Sequence, residues 1–305
     1  MMSDLHENYD DEIDLRELFS VLWESKTTIM VITVMAALLS VVISLSMPNK
    51  YKSETLLAPA EDDGGGGLAG LAGQFGGLAS LAGVSLGGGG ATDKATYALE
   101  VIESRQFVSR FVAKYDLKPA LMAVDYWDRQ SGALVFDDDV YDPKTKKWLS
   151  DEEPSDQEVH EAYLGALTIS QDAQTGFVSL GFLHLSPVFA KQITEWAVAD
   201  LNEAMRQKDI AEAESSIAYL QQQIQATSLA ELRKVFYSLI QAQTETMMLA
   251  KVRAEYVFET LDPAVVPEKK SEPKRAIICI LGTLLGGMLS VLLVLVRHYW
   301  QKQED

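Results

Sequence analysis

The sequence has little of what chemistry at a site usually needs. It contains one cysteine, Cys279, so no intramolecular disulfide can form. Its four histidines, His6, His160, His184 and His298, lie far apart and lack the spacing of metal ligands. Positive charge is scarce: 26 Lys and Arg stand against 44 Asp and Glu, and the formal net charge of −18 excludes nucleic acid as a natural partner. No nucleotide-binding loop is present, because Gly64 to Gly67 is not followed by Lys-Ser/Thr. Asp137-Asp138-Asp139 with Asp142 lacks the glycine and distal glutamate of a calcium loop; like Glu152-Glu153, it reads as a solvated acidic turn. With no His, Cys or paired-carboxylate cluster, the sequence predicts a chain that is not an enzyme and holds neither cofactor nor metal.

Charge is missing altogether from two apolar runs, Thr27 to Asn49 and Ala276 to Val296. Each is long enough to cross a hydrocarbon core of about 30 Å as a helix. The first reads as an uncleaved anchor in preference to a cleaved leader: the preceding 26 residues carry eight acids and only Arg16 and Lys26, where a signal peptide needs a short basic region. Charge does not fix the orientation. Counted near the spans, Lys50, Lys52, Lys269, Lys270, Lys274 and Arg275 against Arg16, Lys26, Arg297 and Lys302 lean towards a cytoplasmic centre. A central segment of about 225 residues, however, translocates largely regardless of charge.

What is present divides the chain into parts. Residues 1–26 are short and acidic, and Leu15, Leu18, Phe19 and Leu22 share one helical face ending at Trp23 and Lys26. That pattern suits either an anchor at the membrane surface or a helix leading into the span. Lys50 to Leu57 partly alternates and reads as a strand that meets Pro59. Residues 64–90 are uncharged and bounded by glycine quartets. Leu68, Leu71, Phe75, Leu78 and Leu81 recur there at helical steps, but the interleaved glycines each cost a helix up to ~1 kcal/mol relative to alanine. This segment is a candidate contact for lipid or a partner. Asp93 to Ala123 reads as a helix, and residues 125–158 as turns and short strands.

Leu167 to Ser170 and Phe177 to Leu185 read as a hairpin across Asp172 to Gly176. Ser186-Pro187 then supplies an N-cap and a proline at the first helical position. The helix it opens runs without proline or glycine to about Ala226, close to 58 Å at ~1.5 Å per residue. Ile210, Ala213, Ile217, Leu220 and Ile224 form a coiled-coil-like seam along it. A second helix from Leu229 to about Tyr256 is expected to return antiparallel, and Val257 to Val266 to re-enter the base as a strand. Pro263, Pro267 and Pro273 make a stiff, extended connector ending in Lys274 and Arg275 at the headgroup level. In the second run, Gly282, Gly286 and Ser290 lie four residues apart on one face, the spacing that lets two membrane helices approach closely.

This order of parts resembles the Wzz-type chain-length determinants, the polysaccharide co-polymerases. Tyr141-Asp142-Pro143-Lys144, His184-Leu185-Ser186-Pro187, Asn202, Ala218-Tyr219-Leu220 and Leu261-Asp262-Pro263-Ala264 carry the resemblance, with the connector its most specific part. Pro263 and Pro267 stand one residue further apart than in the family's usual Pro-x-x-Pro, and Glu272 interrupts its usual Ser-Pro-Lys. The resemblance implies an α+β membrane protein of the bacterial inner membrane, with two transmembrane helices flanking a periplasmic domain built of an α/β base and a long protruding helical hairpin. The implied parts are a cytoplasmic segment 1–26, a span 27–49, a periplasmic domain 50–275 (base 50–186 and 257–275, hairpin 187–256), a span 276–296 and a cytoplasmic tail 297–305. It further implies a non-catalytic, ring-forming homo-oligomer that sets the length of a surface polysaccharide such as O-antigen, with a membrane polymerase, lipid-linked glycan and membrane lipids as partners. The alternative is an adaptor of an exopolysaccharide export system partnered with a separate tyrosine kinase, since only Arg297 to Asp305 follows the second run.

Overall fold

A computed structural model describes residues 15–60, 91–149 and 153–304. The candidate contact residues Leu68, Leu71, Phe75, Leu78 and Leu81 lie outside them. The chain forms two compact units, one of Lys50–Lys270 and one of Met1–Asn49 with Ser271–Asp305.

The central unit is built on a four-stranded antiparallel sheet in the order β6-β7-β1-β8, from β1 (Tyr51–Pro59), β6 (Leu167–Gln171), β7 (Val178–His184) and β8 (Phe258–Asp262). Alternation places Val178, Leu180, Phe182 and His184 of β7 on the buried face. Gly181 sits opposite Glu54 of β1, and a Cβ there would collide with the Ser53 carbonyl, so the tight pairing requires glycine. Strand β6 joins β7 through the expected turn: the Asp172 carboxylate accepts the amides of Gln174 and Thr175, and Gly176 adopts a positive φ of 73°.

The long helix, labelled α7 here (Pro187–Ala226), is capped by the Ser186 hydroxyl, which accepts from the Phe189 amide. Its first half lies on the sheet. Ala190, Ile193, Ala197, Leu201 and Met205 are buried there, and the two alanines let the helix approach closely. Its second half pairs with the returning helix α8 (Ala230–Val252): Ala213 and Leu220 are buried, with Ile210, Ile217 and Ile224 half-buried. The return helix stops at Val252, four residues short of the expected Tyr256, and Tyr256 and Val257 turn the chain into β8.

The expected single helix Asp93–Ala123 is three helices, α3 (Ala91–Glu103), α4 (Arg105–Tyr115) and α5 (Lys118–Met122). Ser104 ends the first by capping the second, accepting from the Phe107 amide. Asp116 ends the second in the left-handed region at φ 52°, and Pro119 opens the third. Two small hairpins follow, β2 (Val124–Trp127) with β3 (Leu134–Phe136) and β4 (Tyr141–Asp142) with β5 (Lys147–Trp148). Helix α6 (Asp156–Ala166) was not expected. Its start is a capping box in which Ser155 and Glu158 exchange side-chain and backbone hydrogen bonds.

The terminal unit holds α1 (Leu15–Glu24), α2 (Lys26–Ser46) and α9 (Arg275–Glu304). Helices α2 and α9 pack side by side, and α9 continues past the apolar run. A break at Ser25 separates α1 from α2, and α1 packs on both partners with Val21 buried. Phe19 and Trp23 stay exposed and stacked at 6.0 Å, with the Lys26 ammonium 4.9 Å from the Trp23 ring.

Candidate functional site: a close helix pair, a tethered connector and the hairpin root

Helices α2 and α9 are each long and apolar enough to cross a membrane, over Lys26–Ser46 and Arg275–Trp300, and little of either is buried within the unit. Their contact is made by small residues. A Cβ on Gly282 would lie 2.5 Å from the Cβ of Ser40, and one on Gly286 would overlap the Cβ of Ala36. One turn further, Ser290 is fully buried with its hydroxyl 3.5 Å from that of Thr33. Each hydroxyl already donates within its own helix, Thr33 to the Ile29 carbonyl at 2.8 Å and Ser290 to that of Gly287 at 2.7 Å. The contact across the pair is therefore chiefly one of shape. The structure thus brings Gly282, Gly286 and Ser290 onto one face against α2. At the other end of the contact the Arg275 guanidinium donates to the Asn49 side chain at 3.2 Å.

Within the central unit the connector is tied down where it leaves β8. The Thr55 hydroxyl donates to the Asp262 carbonyl at 2.8 Å, and the Ser53 hydroxyl to the Val265 carbonyl at 2.7 Å. Ala264 between them is buried. Pro263 lies within this clamp and Pro267 follows it, both outside regular secondary structure; Pro273 and Lys274 stand before α9 in the terminal unit.

The root of the hairpin has a polar core that sequence reading did not assemble. Buried Asn202 of α7 accepts the amides of Tyr256, Val257 and Phe258 through Oδ1 and donates to the Phe258 carbonyl through Nδ2. One amide thus satisfies the whole turn from hairpin to sheet. Two turns along α7, the Asp209 carboxylate accepts from Lys94 at 2.7 Å and from the Tyr256 hydroxyl at 2.7 Å. Burial alone would depress Lys94, but the hydrogen bond and charge of Asp209 outweigh it and hold the ammonium above its ordinary value. Burial, reinforced by Asp209, pushes Tyr256 up to about 12. On the neighbouring face, Asp200 accepts from Lys114 and Tyr115, and Tyr115 stacks on Trp196 at 4.4 Å. The partners are about 50 to 160 residues apart in the chain, and only Asn202 had been singled out.

Buried His184 joins β7, α5 and the start of α7. Its Nδ1 accepts the Ser186 amide at 3.0 Å, which leaves Nε2–H to donate to the Ala120 carbonyl at 2.9 Å. Burial holds this imidazole below its ordinary value. Asp142 accepts from the Lys144 amide and the Thr145 hydroxyl, so it shapes a turn. Among the described residues no group of His, Cys, Asp and Glu is placed to hold a metal ion.

An α+β chain with two candidate membrane helices in one unit, and a sheet with a long helical hairpin in the other, is the setting in which the comparisons fall. The model of the chain length determinant protein family, Wzz, matches residues 11–115, and that of the G-rich domain on putative tyrosine kinase matches residues 221–299. No curated protein matches the chain. Among solved structures, a full-length bacterial polysaccharide co-polymerase is similar at 16% identity over 96% of this chain and 99% of its own, with a TM-score of 0.37. A fragment of WzzB, a polysaccharide co-polymerase from Salmonella Typhimurium, is similar at 15% identity over 73% of this chain and 100% of its own, with a TM-score of 0.30. The N-terminal third of the chain is thus similar to the Wzz-type polysaccharide chain-length determinants.

Proposed function

We propose that this protein sets the modal length of a surface polysaccharide, such as lipopolysaccharide O-antigen, as a non-catalytic co-polymerase acting with a membrane polymerase. The observation that carries this reading is the match of the N-terminal third of the chain to the chain length determinant model. The two apolar helices, mostly unburied within their unit, support it. In this reading the protein sits in the bacterial inner membrane with residues 1–26 and 297–305 cytoplasmic and residues 50–275 periplasmic. Its partners are further copies of itself in a ring, the polymerase, its lipid-linked glycan and membrane lipids. The small face of Gly282, Gly286 and Ser290 packs the spans, and the connector from Pro263 to Arg275 carries the periplasmic domain into the second span. The apolar side chains of 68–81 contact lipid or the polymerase.

The test is a gel of the glycan from a strain lacking this chain, with and without a plasmid copy. Loss of a modal length on deletion, and its return with the wild-type gene, is the expected result. A distribution indifferent to the protein would sink the reading. A second reading draws on the match to the G-rich domain on putative tyrosine kinase. In it the chain is the membrane subunit of an exopolysaccharide export system with a separate kinase, and deletion abolishes the exported polymer instead of broadening its length.

A further inference from the structure

Helix α8 carries a feature that the chain-length reading leaves unused. Along its solvent side, Ala230, Lys234 and Ser238 form one ridge at four-residue steps, and Arg233, Tyr237 and Gln241 the next. Alanine and serine are too short to fill the space between the longer side chains, and an open cavity of about 420 Å³ results. The Ser238 hydroxyl turns back to the Lys234 carbonyl at 3.1 Å, which keeps it off the rim.

The longer side chains around this groove are without partners among the described residues. Arg233, Lys234, Tyr237 and Gln241 are exposed, and none makes a side-chain hydrogen bond or ion pair to any described residue. Glu231, one turn before Lys234, forms no ion pair with it. Two adjacent cations without a carboxylate are an anion site in waiting. Guanidinium grips a carboxylate through paired N–H donors, and the ammonium adds a point charge. Tyr237 is 59% exposed and offers a rigid, flat, amphipathic ring. Gln241 supplies both donor and acceptor for hydroxyl groups. A carboxylate, a flat ring face and hydroxyls meet in one kind of ligand, an acidic pyranose. No Leu, Ile, Val, Met or Phe lines the groove to hold an acyl chain, and the net charge of −18 repels nucleic acid.

We propose that this groove on α8 binds the carboxylate-bearing sugars of a polysaccharide, with Arg233 and Lys234 on the acid and Tyr237 against the ring. The inference rests on the chain-length reading, because that reading supplies a glycan. The test is calorimetric titration of the full-length protein in detergent with oligogalacturonate and with a neutral malto-oligosaccharide of equal length. Wild type is expected to bind the acidic oligomer at least tenfold more tightly, with affinity falling as salt rises. R233E/K234E is expected to abolish that preference, Y237A to weaken binding about tenfold, and Y237F to retain it. Three results would overturn the proposal: no preference in the wild type, an unchanged preference in R233E/K234E, or a smaller assembly for that variant on sedimentation. The last would mean that this face meets a second copy of the chain. Complementation of the deletion strain by wild type judges the chain-length reading separately. A wild type that titrates as expected but restores no modal length would sink that reading and leave the groove's chemistry standing.

Discussion

Asn202 shows how much one side chain can fix. Its amide makes four hydrogen bonds to the backbone of Tyr256, Val257 and Phe258, all in the buried root of the hairpin. Asn202→Ala leaves those groups without partners, and an unsatisfied buried polar group costs about 1–3 kcal/mol. We expect a loss of roughly 3 kcal/mol or more in urea unfolding of the full-length protein, with Asn202→Asp no better because it cannot donate to the Phe258 carbonyl. His184 makes a related argument with pH as the variable. Both ring nitrogens are used in the neutral state, and the Ser186 amide needs Nδ1 unprotonated. Burial lowers this group from its ordinary value of 6.5. Its contribution to stability is therefore complete above that value. It is lost as pH falls towards the folded-state value, because the unfolded chain takes up a proton that the folded chain resists. Thermal melts between pH 7.5 and 5 should show a decline that is shallower in His184→Gln; parallel slopes in the two proteins would remove His184 from the account.

The packing of α2 on α9 leaves no room for larger side chains at two positions. Gly282 faces Ser40, and Gly286 faces Ala36, at distances where an added Cβ already overlaps. Gly282→Leu with Gly286→Leu raises hydropathy, so insertion into the membrane should proceed. Yet the helices must separate by more than a methyl group, and in lipid their association rests on packing rather than a hydrophobic drive. Wild-type membrane levels and a folded central unit are expected, together with loss of modal glycan length; unaltered length control would make the glycines incidental. This face was legible in the sequence because four-residue spacing is local. The same holds for the caps at Ser186 and the turn at Asp172 to Gly176, where the signal lies within a few residues of its effect. The breaks at Ser104 and Asp116 were not legible. Apolar residues continue at helical spacing across both, so the breaks rest on cap geometry, joined at the second by Pro119, a local signal that the apolar pattern masked. Helix α6 did carry a signal, Ser155-x-x-Glu158, inside a stretch whose acidity pointed to turns. The cluster of Lys94, Asp209 and Tyr256 had none, since its members meet only after the hairpin has closed.

Taken whole, the chain poses a question of sidedness that charge does not answer. Cations flank both ends of the central segment, which by the positive-inside rule leans to the cytoplasm, but a segment of about 225 residues follows that rule poorly. The proposed chain-length reading points the other way, to a central domain outside the cytoplasm. The surface of that domain is consistent with assembly there. Tyr219, Leu229, Met248 and Val252 of the hairpin and its tip are large and exposed, Val252 at 83%. Apolar residues exposed in this number are suited to contact between copies, and identical copies meeting head to tail close into a ring when the rotation between them closes. Protein extracted in mild detergent should therefore sediment as a high-order homo-oligomer, and a monomer or dimer with its spans intact would contradict the ring. Sidedness is checked independently with phosphatase and fluorescent-protein fusions at Lys118 and Asp305. Phosphatase activity at Lys118 with fluorescence at Asp305 is the expected pair. The reverse pair would put the charge rule in control of this chain, and equal signals at both sites would mean that one of the two apolar helices does not cross.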